Sequence, residues 1–272
     1  MALTDKLVAI GDAIREKTGT TDLIPLADMP QAIKDISSGG TEEIEMVQYV
    51  TYGRQLFYKA TNFPSKATVN IPNIKDTYQA FAYWNTEPIP IVEELTVNAP
   101  NIGVSSNQQC MGQMFTFNHG VKKVILNMPD ESQYMVSTFA NAKNLEEIVL
   151  NFSTKNIKNY SQAFGSCNAL KRIIGVLDFS SATDISWMFG CSNLEEVRFA
   201  PNTVAISISV GCGKISAESV QSIIDGLATV ETAQTLTFNA NTKILQSQVD
   251  SANAKGWTVA GGKVVSEEEY YG

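Results

Sequence analysis

Three pairs of adjacent glutamates are the residues of this chain that could most readily perform acid–base chemistry or bind calcium. They are Glu93-Glu94, Glu146-Glu147 and Glu195-Glu196. Carboxyl groups act as general acids and bases, and carboxylate oxygens are the ligands that calcium prefers. Basic pairs, however, separate the three acidic pairs along the chain: Lys122-Lys123 and Lys171-Arg172. This alternation favours a structural ladder of charges over a catalytic or calcium site.

The same alternation makes a prediction about strand register. Each pair directly precedes a strand-like segment, and Lys66 precedes the first of them. Neighbouring strands lie about 4.8 Å apart, so each pair should meet the opposite charge in the coils on either side. One exposed ion pair contributes only about 0.2–1 kcal/mol. A slip by one coil would place like charges together, so the ladder should fix the register.

Other residues that could carry chemistry are isolated. His119 is the one histidine, and it lies in a predicted turn without neighbouring residues at metal-ligand spacing. The four cysteines also lack metal-site spacing, and we expect Cys167, Cys191 and Cys212 to be small buried side chains. The sequence contains no phosphate-binding glycine loop and no nucleophile elbow. We therefore expect no catalytic residues, cofactor or metal.

A column of amide side chains is the remaining candidate site. Strand alternation turns the third residue of each strand triplet outward. One interpretation is a ladder of amides bonded between coils, and the other is a polar face that binds a glycan or a protein. The members of this candidate binding face are Asn70, Asn98, Asn127, Asn151 and Asp178. Four aromatic residues could add to such a face, although most should lie in the core: Tyr83, Trp84, Tyr160 and Trp187.

An internal repeat must position these residues. From Val69, apolar residues of the strand-like triplets follow at intervals of 28, 29, 24, 27 and 22 residues. Periods of this size are typical of stacked supersecondary units, each burying its apolar face against the next. The equivalent residues are Val69, Val97, Leu126, Leu150, Leu177 and Phe199.

A second element of the repeat pairs a phenylalanine with a small residue. Examples are Phe81-Ala82, Phe139-Ala140, Phe164-Gly165 and Phe189-Gly190. We expect each phenylalanine in the core, with the small residue permitting a tight turn beside it. The predicted fold is therefore an α/β solenoid, a leucine-rich-repeat-like stack of short parallel strands over residues 67–212.

Different modules flank this stack. Residues 1–38 predict two short amphipathic helices that need a partner and are followed by a flexible linker. Their candidate docking residues are Leu3, Leu7, Ile10, Ile14, Met29 and Ile33. Residues 41–66 predict a β-rich N-terminal cap. Residues 213–272 predict an α/β C-terminal cap, with a helix after Ser216 and a loose acidic tail.

Charge and hydropathy exclude two classes of partner. The net charge of -8, without a cluster of basic residues, argues against nucleic acid. No run of 18 apolar residues exists, so we expect no membrane insertion. The N-terminus lacks the features of a signal peptide, which predicts synthesis in the cytoplasm without ordinary secretion.

Three regions resemble known protein modules. The pattern Phe-Gly-x-Cys-x-x-Leu in residues 164–170, with the related residues 189–197, resembles BspA-type leucine-rich repeats. The C-terminal unit, residues 215–258, is similar to a cap that follows such repeats in proteins of phages and prophages of Gram-positive bacteria. Residues 13–33 resemble a short module of phage tail and other virion structural proteins.

These resemblances imply a non-enzymatic virion protein, a tail, baseplate or fibre component. Its N-terminal helices would contact other virion proteins, and its solenoid would meet a host cell-surface protein or glycan. A homo-oligomer, such as a trimer, is expected because the helices need partners. A bacterial surface adhesin or scaffold that binds proteins through the repeat face is the alternative. A polysaccharide depolymerase would need a carboxylate pair outside the charge ladder, and the sequence offers no convincing one.

Overall fold

The computed structural model of the chain describes residues 42–45, 57, 64–72, 76–83, 91–101 and 111–271. The predicted docking helices of residues 1–38, Cys110 and Trp84 lie outside these residues. So does most of the predicted N-terminal cap at 41–66.

A six-stranded sheet forms the main part of the structure and confirms the predicted solenoid. Its strands follow one another in chain order, and each described pairing from β2 to β6 is parallel. Successive coils therefore stack in about seven turns, as the repeat predicts. The strands are β1 (Glu42–Glu45), β2 (Lys66–Asn70), β3 (Glu94–Asn98), β4 (Lys123–Asn127), β5 (Glu147–Leu150) and β6 (Arg172–Ile174).

The register of the sheet matches the predicted alignment through four coils. Val69 pairs with Val97, which pairs with Leu126. Leu126 pairs in turn with Leu150. These residues point inward and are almost fully buried, and their strand neighbours point outward, as period-two alternation requires. The sheet thus has one face in the core and one face towards solvent.

The predicted alignment of Asp178 with Asn151 of the preceding coil is wrong, because two residues are inserted between the end of β6 and Leu177. Strand β6 ends at Ile174, and Gly175 and Val176 intervene before the buried Leu177. Gly175 has a φ of 117°, and a Cβ there would lie 2.8 Å from the carbonyl oxygen of Leu150. Only glycine fits this close approach, and the bend moves Asp178 out of the strand and into a turn.

A stack of phenylalanine rings runs through the core beside the sheet and confirms the predicted role of these residues. Adjacent rings are nearly parallel, with centroids 4.9–6.0 Å apart. Burial and stacking of aromatic rings are among the larger stabilising contributions in a core. The ring order is Phe57, Phe81, Phe115, Phe139, Phe164, Phe189 and Phe199.

The turns around four of these phenylalanines have a different cause from the predicted one. Residues with positive φ lie two positions before and two positions after Phe81, Phe115, Phe139 and Phe164, as at Ser137 and Asn141. The small residue after Phe189 serves close packing between coils instead. A Cβ on Gly190 would lie 2.8 Å from the backbone nitrogen of Ser166 in the preceding coil.

The C-terminal part continues the parallel pairing and adds helices. Strands β7 (Ile208–Val210), β8 (Gln234–Phe238) and β10 (Trp257–Ala260) form one sheet, and β9 (Lys243–Ile244) pairs with β11 (Lys263–Val264). The helices are α1 (Ala217–Gly226), α2 (Gln246–Ala254) and α3 (Glu267–Tyr271). Ser216 caps α1 by accepting a hydrogen bond from the backbone N–H of Ser219, as its sequence position predicts.

The acidic tail is packed through Tyr270, whereas Tyr271 is 72% exposed and Gly272, at the end predicted to be loose, lies outside the described residues. Tyr270 is buried, and its hydroxyl donates to the carbonyl oxygen of Ala217 at 2.8 Å. Lys263 and Glu269 form an ion pair at 2.7 Å. A buried aromatic ring with a satisfied hydroxyl holds α3 against the start of α1.

Candidate binding surface

The outward side of strands β2–β6, which we call the outer sheet face, is the candidate binding surface. Its central column changes from hydroxyl to apolar side chains along the stack, and Ile174 at the end is 40% exposed. One edge of the face carries the charged residues and the opposite edge carries the asparagines. The central column consists of Thr68, Thr96, Ile125, Val149 and Ile174.

Ion pairs between coils confirm the predicted charge ladder from Glu93 to Arg172. The strand register places Lys66 opposite Glu94, Lys123 opposite Glu147 and Glu147 opposite Arg172. Oxygen and nitrogen atoms of the ladder approach to 2.8–3.3 Å in four of the pairs, and Arg172 contacts Glu147 through two nitrogens. The pairs are Glu93–Lys122, Glu94–Lys123, Lys123–Glu147, Glu146–Lys171 and Glu147–Arg172.

The electrostatics of the ladder favour charged, paired side chains. The hydrogen bond from Lys171 lowers the pKa of Glu146. Burial alone would raise the pKa of Glu147, but hydrogen bonds from Arg172 and Lys123 lower it on balance. A general acid needs a raised pKa, so these shifts suit a structural role for the glutamates.

Acid should weaken the solenoid through these two glutamates. A carboxyl group whose pKa is lowered on folding stabilises the folded state above its unfolded pKa, and this contribution is lost as the pH falls through the folded pKa. We expect the free energy of unfolding to fall as the pH drops below the ordinary glutamate value of 4.5. The variant Glu147→Gln should lose part of this dependence in urea titrations between about pH 3 and 7.

The matched control for this prediction is Glu131→Gln, which removes an exposed carboxylate outside the ladder. It should keep the pH dependence of the parent chain. Equal pH dependence in Glu147→Gln and the parent would show that Glu147 is not stabilised by its ion pairs.

The asparagine column is a ladder of amide bonds between coils. The side-chain nitrogen of Asn98 donates to the side-chain oxygen of Asn70 at 2.6 Å, and Asn151 donates to Asn127 at 2.8 Å. Asn127 donates in the same way to Asn98 and completes the series. Asp178 stands apart, because its Oδ1 accepts bonds from the backbone and hydroxyl of Ser180.

The isolated candidates for chemistry have structural partners. The Nδ1 of His119 accepts a hydrogen bond from the backbone of Lys143, and burial lowers the pKa of the ring. Cys167, Cys191 and Cys212 are free and fully buried, as predicted. Burial raises the pKa of Cys167 to about 12, and its Sγ donates to the carbonyl oxygen of Phe139. A buried thiol of this kind behaves as a small apolar side chain.

A cleft of about 530 Å³ lies where the ladder meets α1. On one side, Glu196 faces Arg172 across a bridge between coils. On the other side, hydroxyl groups of α1 replace the next basic pair, and the Oγ of Ser219 donates to the carbonyl oxygen of Glu195 at 3.2 Å. The ladder therefore ends at the start of α1.

The aromatic residues proposed for a binding face separate into two groups. Tyr160 is fully buried, and Tyr83 stacks on Phe117 with centroids 5.3 Å apart. Trp187, in contrast, is 81% exposed. The sequence does indicate this exposure, because the residue two places before the phenylalanine is polar in the four preceding coils.

One protein family matches part of the chain. Residues 103–198 match the family described as "Mycoplasma protein of unknown function, DUF285". This family is related to BspA-like repeat proteins. No curated protein and no solved structure matches the chain. Within the ranges the structure describes, no helix is long and apolar enough to cross a membrane, and no group of three potential ligands could hold a metal ion.

Proposed function

We propose that this chain is a non-enzymatic structural protein of a phage virion, in which the solenoid is presented for binding to the host surface. The observation that carries the proposal is the ladder itself. Four of its six glutamates, Glu93, Glu94, Glu146 and Glu147, are committed to ion pairs between coils. The ladders hold a long, regular outer sheet face in register, which suits presentation of a surface.

The place of the protein in the particle rests on the N-terminal resemblance. Residues 13–33 resemble a module of phage tail and other virion structural proteins, so we assign residues 1–38 to contacts with other virion proteins. The C-terminal unit resembles caps of phage and prophage proteins. A tail, baseplate or fibre component that assembles as a homo-oligomer, such as a trimer, fits this arrangement.

A bacterial surface or scaffold protein is the second candidate. The family match favours it, because the family is described by a bacterial genus and by no virion component. The solenoid would then bind other proteins through the outer sheet face, and the phage-like ends would have another role.

Cryo-electron microscopy of phage particles from the strain that encodes the chain separates the two candidates. The virion proposal predicts density for the chain in the tail or baseplate, with residues 1–38 against another virion protein and the solenoid projecting outward. Purified particles that lack the chain by mass spectrometry would contradict the proposal and favour the bacterial surface protein.

A further inference from the structure

Trp187 occupies a position that gives a tryptophan no structural advantage. Its side chain is 81% exposed, so the ring buries little apolar area on folding. Its backbone has a φ of 55°, in the left-handed region that bulky residues rarely adopt. The positive φ is shared by Tyr83 and Phe117, whose rings stack on each other, so it is the exposure of the indole that points to a contact outside the chain.

The equivalent positions of the preceding coils show what the fold itself requires. Each of these residues also has a positive φ, between 52° and 55°, and lies two places before a phenylalanine of the stack. All four are polar, which is the choice expected for an exposed turn in this conformation. They are Gln79, Gln113, Ser137 and Gln162.

Small neutral groups and one carboxylate lie on the turn of Trp187 and on the coil before it. The hydroxyls of Ser161 and Ser186 lie 3.2 Å apart, and the backbone N–H of Gln162 donates to the carbonyl oxygen of Ser186 at 2.9 Å. The carboxylate of Asp184 accepts from the backbone of Ser186, and this bond lowers the pKa of Asp184. These groups offer both donors and acceptors without a cluster of like charge.

Further hydroxyl side chains lie on β7, β8 and β10, the strands that follow Trp187 in the chain. A bridge between Phe189 and Val210 places β7 beside the turn that carries Trp187. Outward residues of this sheet are opposite one another: Ser209 pairs with Thr237, and Thr235 pairs with Thr258. The coils that follow Trp187 therefore carry further hydroxyl groups, which together with Ser161 and Ser186 we call the hydroxyl field.

We propose that Trp187 and this hydroxyl field bind a neutral glycan, with the apolar face of a sugar ring stacked on the indole. The sugar hydroxyls would exchange hydrogen bonds with Ser186, Gln162 and Asp184. A protein partner is the less fitting occupant, since serine and threonine, the residues of the hydroxyl field, are under-represented among the hot spots of protein interfaces. The inference rests on the proposed host-surface function and names the ligand class of that function.

The test uses the full chain and its Trp187→Gln variant on an array of bacterial cell-wall and capsular polysaccharides. Trp187→Gln installs the residue found at the same position in three other coils, so it should fold normally by circular dichroism. We expect the parent chain to bind at least one neutral polysaccharide, with a change in tryptophan fluorescence. The variant should bind it roughly thirtyfold more weakly, which is the loss of affinity expected when a residue that dominates binding is removed.

The matched control is Tyr271→Gln, which removes another exposed aromatic ring, 72% accessible, at the C-terminal end. It should bind as the parent does. Absence of binding to every polysaccharide on the array, or equal binding by Trp187→Gln and the parent, would overturn the glycan site.

Adsorption of the labelled chain to host cells distinguishes this failure from failure of the proposed function. Equal adsorption by the parent and Trp187→Gln would show that the chain binds the host surface through another face. No adsorption by the parent chain would refute host-surface binding itself, and with it the glycan site.

Discussion

Replacing Phe139 by alanine should lower the free energy of unfolding by about 3–5 kcal/mol, the largest loss that we expect from one substitution. The ring is fully buried in the middle of the phenylalanine stack, 5.3 Å from Phe115 and 5.8 Å from Phe164. Its removal leaves a cavity that the neighbouring rings cannot fill, because each is held by its own coil. Urea denaturation followed by circular dichroism measures the loss.

The control is Phe117→Ala, which removes the same atoms from a half-buried ring near the surface. Phe117 stacks on Tyr83, outside the central stack, so its loss should cost clearly less. A smaller effect at Phe139 than at Phe117 would contradict the stack as the core of the solenoid.

Reversing the charge of Glu147 should lower the free energy of unfolding by about 2–4 kcal/mol, somewhat less than for a fully buried ion pair. The Glu147 side chain is 12% exposed and contacts both Lys123 and Arg172. In Glu147→Lys, three positive charges would lie on successive coils with little water between them. Lys123 and Arg172 are more exposed than Glu147, so water screens part of the repulsion and the loss of stability is smaller.

Glu131→Lys is the matched control, because it makes the same change of charge at an exposed position outside the ladder. Its effect should stay within about 0.5 kcal/mol. Raising the salt concentration should restore part of the stability of Glu147→Lys by screening the repulsion. Equal stability of the two variants would show that the ladder does not hold the coils in register.

The sequence predicted those features that repeat with a fixed chemical signature. Val69, Val97 and Leu126 share a strand position, and the pairing of the strands follows their spacing. The charge ladder was predictable because the opposite charges of Glu147 and Arg172 must be adjacent in any stack with this period.

Features that depend on local backbone geometry were not predictable in the same way. Despite the insertion at Gly175, Leu177 follows Leu150 at a distance in sequence that fits the repeat. The sequence alone therefore does not reveal that Asp178 has left the strand. The left-handed turn residues are equally hidden, because Gln162 and Ser137 have no strong preference for that conformation. The exposure of Trp187 follows from this turn, and in the sequence only the polar residues at the four equivalent positions indicate it.

A pair of engineered cysteines tests the central claim, that successive coils stack in register. In the variant Asn98→Cys/Asn127→Cys the two residues face each other on adjacent strands, about 4.8 Å apart, which is within reach of a disulfide. In Asn98→Cys/Asn151→Cys they are two coils apart, roughly 9.6 Å, beyond that reach. Mass spectrometry of the oxidised chains should find the disulfide in the first variant and none between the engineered cysteines of the second. A disulfide in the second variant, or none in the first, would contradict the stacked solenoid.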